Sequence, residues 1–368
     1  MANVIPMSVG MNNQSVNVNL TESGARDIVW RQFGTSFEGK NVNVEDAISE
    51  IGADFNVSKQ PLIRVPQEVY DAIKNGTPLD SLNLSTANLI TSHCATVRDD
   101  HDFTLGVVGR DYGVVQNAKA FEFIDFIKEV SGEEPIVETA GLLGNGERLF
   151  VTCKLGEDSY LNPNDAVKNY VVFTNTHDGS GSVMAFFSPT RVICSNSLVF
   201  AIKHCPNKVV FKHTKNVGMR LDWEREENRK KALEVFSKSV KFSEKWMDEM
   251  LKLRTQKVDD NFKKDFVARM YLSDAAYKLY EQAGRNWDNV DEISTRAKNQ
   301  ANALAYSIEY GIGQQENRGT KLWLLNGLTT HIQNAQNWKD GETQFNSVIM
   351  GGTEGKRIQK AYDLLIAA

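Results

Sequence analysis

One stretch of the sequence, residues 168–204, limits the possible fold more than any other. It holds two apolar runs, Tyr170–Phe173 and Val183–Phe187, separated at Asp178–Gly181 by small residues that favour a hairpin turn. Polar residues follow the second run, and among them Asn196 can accept backbone hydrogen bonds at the start of a short helix. The stretch therefore predicts a strand, a turn, a second strand and a helix.

The segments before and after this stretch predict different kinds of structure. Upstream, the runs Ile136–Leu143 and Leu149–Leu155 enclose a Gly-Asn-Gly turn and predict another hairpin, while Asn117 is expected to cap a helix. Downstream of Met219, apolar residues recur at helical spacing within charged segments. We expect an α+β fold, with an antiparallel β-hairpin core packed with helices and followed by a helical C-terminal region. The expected parts are a flexible N-terminal arm at 1–22, an α+β core domain at 23–218 and the helical region at 219–368.

Hydropathy and cysteine usage point to the cytoplasm. No apolar run in the 368 residues approaches the length of a membrane span, and the N-terminus lacks the pattern of a secretory signal. The four cysteines are widely spaced, so we expect reduced thiols rather than a disulfide framework. We expect no membrane partner.

Charge is distributed unevenly along the chain. The net charge is −5, yet no Asp or Glu occurs between Gly179 and Leu221. Such a window can form one positive surface on an acidic protein, although solvated lysines on edge strands would give the same pattern. The cations expected to contact phosphates are Arg191, Lys203, Lys208, Lys212 and Lys215.

This window also contains aromatic residues on which bases could stack. Phe186 and Phe187 are neighbours on a predicted strand, so one should face the core while the other faces outward. The alternative is that both belong to the core. Cations beside flat apolar side chains are what single-strand binding requires, so we expect a single-stranded DNA partner.

Catalysis is the weaker interpretation of the same stretch. A Cys–His pair can activate a thiolate, but His177 lies at the turn and Cys194 at the far end of the following strand. The simpler interpretation is that His177 and Asp178 bond the backbone of their own turn. The cluster His204, Cys205 and His213 lacks the paired spacing of metal ligands. We therefore assign no catalytic residue, no metal and no cofactor.

Short signatures occur along most of the chain. They are Trp30, Gly34, Arg98-Asp99, Gly106–Gly109, Tyr112, Val115–Asn117, Ala120-Phe121, Glu138–Gly141, Asn175, His177–Ser180, Pro189–Val192, Cys194, Asn196, Leu322-Trp323 and Asn326. Their order resembles that of a family of phage- and plasmid-borne proteins, domain of unknown function 932. At the first signature, Arg31 and Gln32 stand where the family pattern has a His-Gly pair. The family-motif residues on which we focus are Asn117, Glu138, Asn175, His177, Asp178, Arg191 and Asn196.

The resemblance implies a mobile-element context rather than a known activity. A β-hairpin followed at once by a helix is similar to the core of phage single-strand annealing proteins, which implies a homo-oligomer with a basic groove for DNA; this step rests on fold analogy alone. Two alternatives remain open. One is a nucleotide-directed hydrolase using His177 and Asp178, and the other is a protein that binds a host factor without catalysis.

Overall fold

The computed structural model describes residues 34–40, 42–85, 87–163, 165–191, 208–217, 222, 225–311, 313–349 and 351–367. Within these ranges the strands form two antiparallel sheets. A six-stranded sheet has the order β1-β5-β6-β7-β8-β9, and a three-stranded sheet has the order β2-β3-β4. The strands are β1 (Thr35–Ser36), β2 (Val57–Arg64), β3 (Asn88–Arg98), β4 (Phe103–Gly109), β5 (Ile136–Leu143), β6 (Arg148–Asn162), β7 (Asp165–Thr176), β8 (Val183–Arg191) and β9 (Val209–Phe211).

The six-stranded sheet is buried on both faces. Side chains alternate along β7, so that Tyr170 and Val172 enter one hydrophobic cluster while Val171 and Phe173 enter another. Antiparallel sheets commonly leave one face in water and then show alternating polarity. Burial on both sides explains why the 170–173 run is apolar at every position.

Two short helices cover one face of this sheet. Helix α1 (Val44–Glu50) begins at Asn43, whose Oδ1 accepts a hydrogen bond from Asp46 N at 2.8 Å. Helix α3 (Lys119–Ser131) ends at Gly132, which adopts the left-handed conformation with φ 70°. A third helix, α2 (Gln67–Lys74), lies between β2 and β3 in the chain.

The helical C-terminal region covers the other face. Trp246, Leu325 and Phe345 share one hydrophobic cluster with Phe150 and Phe186 of the sheet, so this region and the sheet form a continuous core. The helices are α4 (Glu226–Thr255), α5 (Asp260–Tyr271), α6 (Asp274–Gln282), α7 (Thr295–Tyr310), α8 (Lys321–Thr330), α9 (Gly341–Val348) and α10 (Thr353–Ala367), with a π-helical turn at His331–Ala335 after α8.

The structure confirms the α+β class and the two predicted hairpins. Strand β7 pairs with β8, and β5 pairs with β6, both antiparallel. The helix expected to begin at Asn117 begins instead at Lys119, and the Asn117 side chain bonds Ala53 O rather than capping the helix. The helix predicted near Asn196 and the N-terminal arm at 1–22 lie outside the described residues.

The expectation that Phe186 or Phe187 faces outward is wrong. Phe186 is 0% exposed and Phe187 is 7% exposed. The two side chains do point to opposite faces of β8, but each face is covered by helices, so Phe186 packs in one cluster and Phe187 in the other. Neither ring is available for a base to stack on.

Candidate functional site

The end of β7 carries a buried network of polar side chains. Asn117, Asn175 and His177 are each no more than 1% exposed. Asn117 Oδ1 accepts hydrogen bonds from His177 Nε2, at 2.9 Å, and from Asn175 Nδ2, at 3.3 Å. Asn117 Nδ2 donates to Ala53 O at 2.9 Å, and Asn175 Nδ2 donates to Val115 O at the same distance. The fold thus brings three of the family-motif residues into one hydrogen-bonded group.

Burial determines the charge of His177. Desolvation of the imidazole, with a smaller effect of nearby His213, lowers the pKa of His177 from 6.5 to about 4. The ring is therefore neutral at neutral pH, and its Nε2–H donates to Asn117. Because the imidazole has no exposed surface, it holds the fold together instead of contacting a substrate.

The main chain of His177 joins two further segments. Its N–H donates to Glu147 O at 2.8 Å, and its carbonyl accepts a hydrogen bond from Thr96 Oγ1 at 2.6 Å. These bonds, like the contact with Asn117, come from distant parts of the chain. The interpretation that His177 bonds its own hairpin turn is therefore wrong.

The interpretation that Asp178 bonds the backbone of its own turn is confirmed. Its Oδ1 accepts hydrogen bonds from Ser180 N, at 2.9 Å, and from Ser180 Oγ, at 2.7 Å. The turn lies against β4, since a Cβ atom at Gly106 would come within 2.6 Å of Asp178 Cα. Glycine at this position allows the three-stranded sheet to approach the β7–β8 turn.

Tyr112 and His213 join the turn after β4 to the segment after β9. Their rings stack with centroids 4.6 Å apart, and the Tyr112 hydroxyl donates to Thr176 O at 2.8 Å. His213 Nδ1 donates to Gly113 O at 2.9 Å, and Gly113 N donates to His213 O at 3.1 Å. Burial lowers the pKa of His213, so its imidazole is neutral like that of His177.

A cleft of about 360 Å³ opens beside this junction. Lys59 from β2, Arg110 from the turn after β4 and Lys215 from the segment after β9 line it, together with one carboxylate, Asp111. Lys59 Nζ donates to Arg110 O at 2.9 Å and to Tyr112 O at 3.0 Å, which fixes the turn that carries Arg110. We call this feature the basic cleft.

The basic cleft has positive charge available for an anionic ligand. Arg110, Lys212 and Lys215 are exposed, and Lys212 lies on the same short segment as Lys215. Within the described ranges, no carboxylate forms an ion pair with any of these three side chains. The cations that line the cleft are Lys59, Arg110 and Lys215. Asp111 is the one carboxylate in the lining, so the lining carries an excess of positive charge.

Glu138 belongs to a separate polar cluster. It is 4% exposed and accepts hydrogen bonds from Tyr170 Oη, at 2.5 Å, and from Lys168 Nζ, at 3.0 Å. Lys168 also pairs with Glu38 at 2.7 Å. The cluster ties β5 to β7 across β6, which gives Glu138 a structural role.

The residues predicted to bind phosphate differ in where the structure places them. Lys212 and Lys215 are exposed at the basic cleft or next to it, whereas Lys208 is half-buried and already has a partner. Arg191 ends β8, and its side chain is outside the described part of the structure, as are Lys203 and the motif residue Asn196.

Sequence reasoning missed Lys59 and Arg110. Lys59 lies on an exposed position of β2 and Arg110 lies in the turn after β4, so local pattern gave no reason to connect them. The available signal was the Gly-Arg-Asp-Tyr turn at Gly109–Tyr112, because a cation exposed in a tight turn often serves binding.

The described residues lack two other kinds of feature. No group of three or more His, Cys, Asp or Glu side chains in those ranges is placed to hold a metal ion. No helix in the same ranges combines the length and apolarity that crossing a membrane requires. His204 and Cys205 fall outside the described residues.

Comparison with known proteins places the chain in a family. A family model described as a domain of unknown function, DUF932, matches residues 104–350 of the 368. Neither curated proteins nor solved structures gave a match. The matched range contains the Asn117–His177 network, as well as Arg110 and Lys215 of the basic cleft. The chain therefore belongs to DUF932.

Proposed function

We propose that this protein binds single-stranded DNA through its phosphates at the basic cleft. The observation that carries the proposal is that Arg110 and Lys215, which line one cleft, and Lys212, which precedes Lys215 on the same short segment, are exposed and unpaired among the described residues. Phosphates bind such cations regardless of base sequence, because binding releases the counterions condensed on the nucleic acid. The expected role is strand annealing in the recombination or replication of a phage or plasmid.

The cleft is suited to the task because its walls are fixed before the ligand arrives. The Tyr112–His213 stack and the paired hydrogen bonds between Gly113 and His213 hold its two sides together. The ammonium group of Lys59 donates hydrogen bonds to two backbone carbonyl groups and so orients the turn that carries Arg110. Backbone segments that are already held in place lose less conformational entropy on binding than mobile ones do.

A homo-oligomer forms part of the proposal. One protomer offers few cations and carries a net charge of −5, so copies placed side by side would extend the positive surface. Support comes from Ile63 and Leu89, which face each other across β2 and β3 and are 52% and 62% exposed. An exposed cross-strand apolar pair is suited to contact with a second copy.

A mobility-shift assay with single-stranded and duplex DNA tests the proposal. We expect the wild-type protein to slow the migration of the single-stranded DNA. The variant Lys212→Ala/Lys215→Ala should bind this DNA with clearly lower affinity. The matched control is Lys238→Ala/Lys241→Ala, which removes the same charge from exposed positions on α4. Absence of binding, or equal loss in both double variants, would refute the proposal.

A further inference from the structure

A second, larger pocket lies on the helical side of the molecule. Its volume is about 470 Å³, and it opens between α7 and the π-helical turn after α8. π-helical turns are rare in proteins, and many of those that exist lie at functional sites. The lining residues are Arg296, Asn299, Gln300, Ala303, His331 and Gln336.

The π-helical turn gives this pocket its inner wall. Helix α8 is buried at all ten positions, and the widened turn that follows brings His331 to the pocket while Ile332 stays in the core. Trp338 Nε1 donates to Ile332 O at 3.2 Å, which satisfies a carbonyl group in the distorted turn. The wall is therefore a fixed part of the fold.

The lining side chains have hydrogen-bonding capacity to spare. Arg296 and Asn299 are exposed and have no partner among the described residues. His331 is 5% exposed, and its Nδ1 lies 3.4 Å from Ser307 Oγ. Burial, aided by the charge of Arg357, lowers the pKa of His331 to about 4, so the imidazole is a neutral donor and acceptor. The pocket is lined by one cation, three amides and a neutral imidazole, with no carboxylate.

Two exposed tyrosines continue the same face of α7. Tyr306 and Tyr310 are 67% and 71% exposed, and their ring centroids lie 4.9 Å apart. Helical spacing places them on the side of Ala303, whereas Leu304 and Ile308 face the core. Among the described residues, most large aromatic side chains are buried or half-buried, so this pair stands apart.

We propose that this face of α7 binds nucleotides, with the phosphate on Arg296, the base edge on the amides, and a base against the tyrosine pair. Guanidinium groups bind phosphate oxygens in fork geometry, and Asn and Gln match the donor–acceptor pairs of base edges. Aromatic rings at an exposed surface offer stacking platforms to bases of any sequence. The rise from Arg296 to Tyr306 is about 15 Å along the helix, and the long side chains at both ends shorten the distance that a bound nucleotide has to bridge.

This face lies on the helical side of the six-stranded sheet, and none of its residues lines the basic cleft. The two proposals therefore stand or fall separately. Nucleotides could come from solution or from a single strand, and both sources present the same phosphate and base.

Equilibrium binding by calorimetry tests the proposal, with dAMP, inorganic phosphate and oligo-deoxythymidine as separate probes. The test variant is Tyr306→Ala/Tyr310→Ala, and its conservative partner is Tyr306→Phe/Tyr310→Phe, which keeps both stacking faces. Tyr160→Ala, which removes a tyrosine 57% exposed on β6, is the matched control. All three change exposed side chains, so folding should be unaffected.

We expect the double alanine variant to weaken nucleotide binding by about tenfold or more, while the phenylalanine variant and the control bind normally. Arg296→Ala should weaken dAMP binding as well. Binding of dAMP supports free nucleotides as the ligand. Binding of the oligonucleotide but not of dAMP supports a single strand as the ligand. Lys212→Ala/Lys215→Ala should leave the dAMP result unchanged, even if the basic cleft binds no DNA. No binding of either nucleotide probe, or equal affinity in the double alanine variant, overturns the proposal.

Discussion

The ring of Tyr112 lies flat on the imidazole of His213, with the centroids 4.6 Å apart and the planes 11° from parallel. This contact joins the turn that carries Arg110 to the segment that carries Lys212 and Lys215. The two sides of the basic cleft come from parts of the chain about a hundred residues apart. Their relative position therefore depends on this stack and on the hydrogen bonds around it.

Removing the stack should destabilise the protein more than removing one hydrogen bond. Tyr112→Phe loses only the bond to Thr176 O, and we expect a loss of about 1 kcal/mol in the free energy of unfolding. Tyr112→Ala also loses the ring contact and leaves a cavity, for which we expect about 3 kcal/mol. Urea unfolding of both variants measures the difference. Equal stabilities would show that the stack contributes nothing.

Adding a single methyl group at Gly113 should lower both stability and binding. A Cβ atom there would clash with Thr214 O and come within 2.5 Å of Val217 Cγ1, so Gly113→Ala must push the two sides of the cleft apart. We expect lower stability and weaker oligonucleotide binding. Gly109→Ala is the matched control, because a Cβ atom at Gly109 would meet nothing within 4 Å. Identical behaviour of the two variants would contradict the close approach seen at Gly113.

Stability should fall as the solution becomes acidic. The unfolded chain protonates His177 at its ordinary pKa of 6.5, whereas the folded protein does so only near 4. The unfolded state therefore binds more protons between these values, so stability is complete above about pH 6.5 and is lost as pH falls towards 4. The contribution of His177 is about 3 kcal/mol, and buried His331 acts in the same direction.

Chemical unfolding across this pH range measures the effect. His177→Asn should be less stable at neutral pH but should lose less stability on acidification than the wild type does. His101→Asn, at an exposed turn, should follow the wild-type profile. If His177→Asn and the wild type lose the same stability, the imidazole is not held neutral by burial.

Self-association should depend on the exposed pair on the three-stranded sheet. Ile63→Lys/Leu89→Lys places two positive charges opposite each other at the proposed contact, where like charges repel. We expect light scattering to show an oligomer for the wild type and a smaller species for this variant. Leu79, which is 67% exposed outside the sheet, provides the control Leu79→Lys. A monomeric wild type, or an unchanged oligomer in the double variant, would refute the interface.

Local pattern predicted much of the fold but little of the site. Apolar runs and glycine turns predicted the hairpins because strand pairing between chain neighbours depends on nearby residues. Pattern alone could not show that helices cover both faces of the six-stranded sheet, and this is why either Phe186 or Phe187 was expected to be accessible. Asn117 has the side chain of a helix cap, but the same amide is also suited to a buried network, and the long-range partners decide between the two roles.

The basic cleft illustrates the same limit. The acid-free window predicted Lys212 and Lys215, because a charge run is visible in the sequence. Lys59 and Arg110 join them only through the packing of β2 and β4 against the segment after β9.

The dependence of oligo-deoxythymidine affinity on salt concentration tests the central claim most directly. Each phosphate neutralised on a single strand contributes about −0.7 to the slope of log affinity against log salt. If Lys212 and Lys215 each contact a phosphate, the variant Lys212→Ala/Lys215→Ala should flatten the slope by about 1.4, whereas Lys238→Ala/Lys241→Ala should leave it unchanged. A wild-type affinity that does not respond to salt, or a slope that the cleft variant leaves intact, would contradict phosphate binding at the basic cleft.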